Sequence, residues 1–188
     1  MAGLNLKIGE CVHYGSHGVC RVCGQETKKF GRAEALYYTL RPTSSESILL
    51  YLPATAEPEK VKLRRLLSRD QILELLREAQ KKPAGWIPDN KTRRETFARI
   101  LREGDTKALI DMLRSLYIHQ EELPPGKMMP MSDQEMMAAA RRQLHSELSY
   151  VLEIEESQVL PFVMEQVRQV QEEQERQDSM ESDAGNEL

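Results

Sequence analysis

The chain lacks any apolar run long enough to cross a membrane: the longest, from Ile48 to Ala54, is interrupted by Pro53. Its first fifteen residues carry no basic stretch followed by an apolar core, so an export signal is not expected and a cytoplasmic location is. Cysteine is scarce. Three residues, Cys11, Cys20 and Cys23, cannot all pair, which argues against a disulfide scaffold and for reduced thiols. Catalytic signatures are missing too. There is no G-x-S-x-G, no phosphate loop and no H-E-x-x-H, and the four histidines (His13, His17, His119 and His145) have no nucleophile motif beside them. Carboxylates are plentiful but sit in helical charge patterns, where they solvate helix faces. An enzyme is not expected, nor a cofactor.

What is present is a strongly uneven charge. Residues 1–70 hold 11 Lys/Arg against 7 Asp/Glu, residues 71–152 hold 13 against 12, and residues 153–188 hold 2 against 11, within a net charge of −4. A mildly basic body suits nucleic acid or an acidic protein surface, and an acidic end can screen that attraction. The same charges would also serve simply to solvate helix faces.

The first third reads as strands separated by turns. Strands are expected over 10–14, 18–25, 36–41 and 47–52, divided by Gly15-Ser-His-Gly18, by the polar stretch 26–32 and by Pro42-Thr-Ser-Ser-Glu46. They suggest a four- or five-stranded antiparallel barrel too small for a substrate cavity. After Pro53 the period becomes helical. Ser68-Arg-Asp-Gln71 is a capping box opening a helix to about Gln80. Residues 81–85, containing Pro83 and Gly85, break it. Further helices are expected over 90–103, closed by Gly104, and from a cap at Asp105 onward. Leu123-Pro-Pro-Gly-Lys127 should end that helix, and a second capping box, Ser132-Asp-Gln-Glu135, should start the next. A final helix from about Gln158 would hold Pro161 in its first turn, and residues after about Arg176 should lack structure. The expected fold is α+β: a small sheet domain over 1–67, a helical bundle over 68–176 and an acidic tail over 177–188.

Two constellations could carry chemistry. Cys11, His13, His17, Cys20 and Cys23 hold enough soft ligands for zinc, yet in a strand Cys20 and Cys23 point to opposite faces unless a bulge intervenes. Cysteines acting as small core residues are the alternative. In the second, the only tryptophan, Trp86, precedes a helix that opens with Lys91, Arg93 and Arg94. An aromatic beside cations can stack on or wedge into DNA while the cations hold phosphates; equally, Trp86 can close the bundle core.

The stretch Gly9-Glu-Cys-Val-His-Tyr-Gly-Ser-His-Gly-Val-Cys-Arg-Val22 resembles the opening of the CarD family of bacterial transcription regulators, roughly G-D-x-V-V-Y-P-x-H-G-V-G-x-V. It departs from that pattern at Glu10, His13, Gly15 and Cys20. The similarity continues through Tyr37-Tyr-Thr-Leu40, Leu52-Pro-Ala54, Leu63-Arg64, Trp86, Arg93-Arg94, Gly104-Asp105 and the helix from Ala138 to Leu152, covering about residues 6–155. The resemblance implies a Tudor-like barrel that docks on the β-subunit lobe of RNA polymerase, with contacts near Lys28, Lys29, Phe30 and Tyr51. It also implies that Trp86 wedges at the upstream edge of the transcription bubble, with Lys91, Arg93 and Arg94 on DNA. The free protein would be a monomer that stabilises the open promoter complex. The competing reading is an adaptor that uses the barrel to reach polymerase and the helices to recruit another protein without touching DNA.

Overall fold

The computed structural model describes residues 4–30, 33–81 and 85–184. Five strands come first: β1 (Cys11–Tyr14), β2 (Val19–Phe30), β3 (Ala33–Pro42), β4 (Leu50–Pro53) and β5 (Leu63–Arg65). A 3₁₀ turn, Gly15–His17, joins β1 to β2, and a one-turn helix, α1 (Pro58–Val61), precedes β5. Five longer helices follow: α2 (Arg69–Gln80), α3 (Asn90–Glu103), α4 (Thr106–Glu121), α5 (Met131–Leu152) and α6 (Glu156–Ala184). The class is α+β, as expected.

The strands pair antiparallel in the order β4-β3-β2-β1-β5, and among the described residues no pairing of β4 with β5 closes this ladder into a barrel. Alternation explains which face is inside. Val12, Val22, Leu40 and Leu52 fall on one side and are almost wholly buried, each such side chain contributing roughly 1.5–3 kcal/mol. Leu4 crosses over this core, its N–H donating to the Ala54 carbonyl and its own carbonyl accepting from the Tyr38 hydroxyl.

Of the polar stretch 26–32, residues 26–30 are strand and not loop. The β2–β3 ladder continues from Glu26↔Tyr37 to Phe30↔Ala33, and residues 31–32 lie outside the described residues. β4 reaches only as far as Tyr37, so beyond it the ribbon has two strands. Solvated on both faces, it needs no apolar alternation, and composition alone therefore reads it as a turn. A register shift between Val22 and Gly24 leaves Cys23 as an extra residue in β2.

In the helical half, the Ser68–Gln71 capping box forms, with the Ser68 hydroxyl accepting from the Gln71 N–H and the Gln71 side chain accepting from the Ser68 N–H. Asp89 caps α3 and Asp105 caps α4 through N–H groups three residues on. Gly104 ends α3 at φ 66°, left-handed backbone that suits glycine. These helices pack around Ile72, Phe97, Leu109, Leu116, Leu144 and Leu148.

Three boundaries differ from expectation. α5 begins two residues earlier than a Ser132 cap would allow, with Pro130 at its N-cap, because Pro130 cannot continue a preceding helix but its carbonyl accepts from the Asp133 N–H. α6 starts at Glu156, so Pro161 lies in its second turn. Its backbone is helical through Ala184, where the segment after Arg176 was expected to lack structure; residues 185–188 lie outside the described residues, as do 82–84 of the expected break.

Candidate functional site

The expected polymerase-facing residues lie on the β2–β4 part of the sheet. Lys28 and Tyr51 share the face opposite the core: the Lys28 ammonium donates to the Tyr51 hydroxyl at 2.5 Å, sits 3.7 Å from the centre of its ring and pairs with Glu26 at 3.6 Å. The hydrogen bond to Tyr51, foremost, raises the Lys28 pKa above its ordinary value. Lys29 is exposed and, one residue on, faces the other way across from Glu34. Phe30 ends β2, and its side chain lies outside the described residues. β4 is an edge strand, with β3 as its ladder partner.

The second cluster surrounds Trp86. The indole is half-buried against the helical core, stacked on the His119 ring at 3.6 Å between centroids and 14° between planes, with the Arg93 guanidinium 4.5 Å from its centre. Lys91 and Arg94 are exposed and line a groove with Ala98 of α3 and Met136 of α5. Arg93 corrects the expectation. Only 4 % exposed, it donates from Nε and Nη2 to Asp133 at 3.2 and 2.9 Å, from Nη1 to the Ile87 and Pro88 carbonyls, and from Nη2 to Asn90. A guanidinium so enclosed cannot reach a phosphate. Arg93 lies one turn before Phe97 on the buried face of α3, whereas Lys91 and Arg94 fall on the solvent side.

A third cluster, not anticipated, joins the sheet to the helices. Arg64 of β5 makes a bidentate pair with Glu147 of α5 at 2.7 and 2.8 Å and donates to the Gly104 carbonyl and the Thr106 hydroxyl. Thr106 donates on to Glu147 at 2.7 Å. Burial alone would raise the Glu147 carboxyl, but hydrogen bonds from Arg64 with its charge, and from Thr106, hold it below its ordinary value. Beside them His13 is fully buried, and neither ring nitrogen has a hydrogen-bond partner among the described residues.

Burial first, then the Arg64 charge, lowers the His13 pKa from 6.5 to about 4. Between these two values the unfolded chain binds a proton that the folded chain refuses, so stability rises with pH across this window and is lost as pH falls through it. The loss should reach about 3 kcal/mol near pH 4. Denaturant midpoints measured from pH 4 to 7 should show this slope, and His13→Leu should flatten it.

Two family models cover most of the chain: that of the CarD-like/TRCF RID domain matches residues 6–67, and that of the CarD C-terminal domain matches residues 71–163. The chain belongs to the CarD family. This is a family of transcription factors that interact with RNA polymerase. No curated protein matches the chain.

In this CarD-family protein the zinc reading finds no geometric support. Among the described residues no three His, Cys, Asp or Glu side chains form a group able to hold a metal. Cys20 is buried in the sheet core, and the bulge leaves Cys23 exposed instead of turning it toward Cys20. No helix among the described residues is long and apolar enough to cross a membrane. Sequence reasoning passed over Glu147, Asp133 and His119. The first two lie fourteen residues apart on the inward face of α5, spaced as its apolar residues are, but a carboxylate at such a position looks no different from a solvated one until its partner is known.

Proposed function

We propose that the sheet half, residues 1–67, docks on the β subunit of RNA polymerase through Lys28, Lys29, Phe30 and Tyr51, and that the helical half, residues 68–176, stabilises the open promoter complex through Trp86, Lys91 and Arg94. The observation that carries this reading is the junction. Arg64, Glu147, Thr106 and Gly104 hold the two halves in one arrangement, so a sheet docked on polymerase presents the Trp86 end of the bundle at a defined distance. The edge position of β4 supports the docking step, since an edge can accept a partner's strand beside the Lys28–Tyr51 face.

The effect is thermodynamic. A regulator that binds the open complex better than the closed one shifts the equilibrium by its differential affinity, and each ~1.4 kcal/mol is tenfold in population. Base stacking by an indole supplies about 1–3 kcal/mol. Tethering raises the effective concentration, so affinity for free DNA can be weak. Trp86→Ala is expected to shorten open-complex lifetime by about tenfold in promoter kinetics while binding to polymerase is unchanged; Lys28→Glu with Tyr51→Ala should weaken polymerase binding. An unchanged lifetime in Trp86→Ala would remove Trp86 from the mechanism.

One observation favours the adaptor reading, in which the helices recruit another protein. With Arg93 enclosed, the start of α3 offers DNA only Lys91 and Arg94. Salt dependence separates the two. Two phosphate contacts give a slope of about −2 in log affinity against log salt, and an apolar helix interface gives a slope near zero.

A further inference from the structure

The short segment that carries Trp86 is pinned on both sides by the helices beneath it. Before the tryptophan, the Ser115 hydroxyl of α4 donates to the Gly85 carbonyl at 2.9 Å. After it, Arg93 of α3 holds the Ile87 carbonyl at 2.8 Å and the Pro88 carbonyl at 3.2 Å, and Asp133 of α5 anchors Arg93 in turn. With the backbone fixed at 85, 87 and 88, the freedom left to Trp86 is rotation of its own side chain. His119, in the last turn of α4, lies flat on the indole at 3.6 Å and 14°, which restricts that rotation. The stack has no part in the capping of α4, where the Glu122 N–H bonds the Ile118 and Gln120 carbonyls.

From this geometry we infer that His119 is a positioning residue: its ring holds the Trp86 indole in the orientation in which it meets DNA. The inference rests on the reading of Trp86 given above and adds to it the residue that sets the aim of the ring. A preset ring loses little rotamer freedom on binding, so less of its contact energy is offset by ordering. His119 would therefore act on the lifetime of the promoter complex without touching it.

Trp86 is the only tryptophan, so indole emission reports on this one ring. The test uses the full chain with His119→Leu, which keeps apolar volume without a stacking plane, and His119→Phe, which restores a ring. His119→Leu is expected to add a fast, nanosecond component to the decay of Trp86 anisotropy and to shorten open-complex lifetime about two- to tenfold. His119→Phe should reverse most of both effects. An unaltered anisotropy decay in His119→Leu overturns the inference while leaving the role of Trp86 standing. The same holds if anisotropy changes but the lifetime does not, provided Trp86→Ala shortens it. If Trp86→Ala leaves the lifetime unchanged, the functional reading fails and the inference built on it fails too.

Discussion

Replacing Asp133 with alanine is expected to destabilise the protein by about 3–5 kcal/mol, the cost of leaving one partner of a buried ion pair without the other. Both side chains are enclosed, Arg93 at 5 % and Asp133 at 0 % side-chain exposure, so solvent cannot rescue the orphaned guanidinium. For a chain of this size the loss corresponds to roughly 10 °C in Tm, readable by thermal denaturation followed by circular dichroism. The double replacement Arg93→Met with Asp133→Leu should recover most of that loss, because removing both charges together leaves none uncompensated. It should still loosen the Trp86 segment, since the Ile87 and Pro88 carbonyls lose their donor. Recovery of stability without recovery of open-complex lifetime would separate the two tasks of Arg93. A loss below 1 kcal/mol for Asp133→Ala would mean the pair is not buried as described.

Substituting alanine for Gly104 is expected to cost about 2–5 kcal/mol. Part is backbone: φ is 66°, and a residue with a Cβ in left-handed backbone loses about 1–2 kcal/mol. The rest is steric. A Cβ there would lie 2.5 Å from His13 Cε1 and 2.9 Å from the Gly15 carbonyl. The imidazole is packed and the carbonyl is backbone, so neither yields easily, and overfilled packing costs about 1–3 kcal/mol. The collision falls at the seam between sheet and helices. Gly104→Ala should therefore lower Tm and also raise proteolytic sensitivity around residues 13–18 and 102–106. A stability within 0.5 kcal/mol of the parent chain would show that the seam can open without cost.

Both effects arise at the two ends of α3, the helix along which α5 packs. Asp133 takes Arg93 near the start of α3, Gln143 donates to the Leu101 carbonyl near its end at 3.1 Å, and Glu147 reaches past it to Arg64 of the sheet. Thr43 and Ser146 add a hydroxyl contact at 3.4 Å. One face of α5 thus fastens the Trp86-bearing region at one end and the docking sheet at the other, so a change in this helix bears on both halves at once.

Much of the architecture was legible locally. Alternation of apolar residues located four strands, capping side chains at Ser68 and Asp105 located helix starts, and Gly104 located a helix end, because each of these signals acts within a few residues of itself. The motifs around His17-Gly18 and Gly104-Asp105 point to the family on their own, and two family models match it. Local signals failed where a neighbour from elsewhere in the chain decided the outcome. Residues 26–30 have a polar composition that fits a turn, and they are strand because β3 lies alongside. A second failure was local: Ser132-Asp-Gln-Glu135 fits a capping box, but the helix already begins at Met131 with Pro130 at its N-cap, so Ser132 lies inside the first turn.

By itself, then, the sequence determined the class of fold, the order of most elements and the family, since backbone preference and periodicity are short-range properties. Only the tertiary structure decided which charges are available. Arg93 and Arg94 are adjacent and chemically identical, yet one is buried against Asp133 and the other is exposed, because successive residues on a helix point about 100° apart and only the packing of α5 against α3 defines the inside.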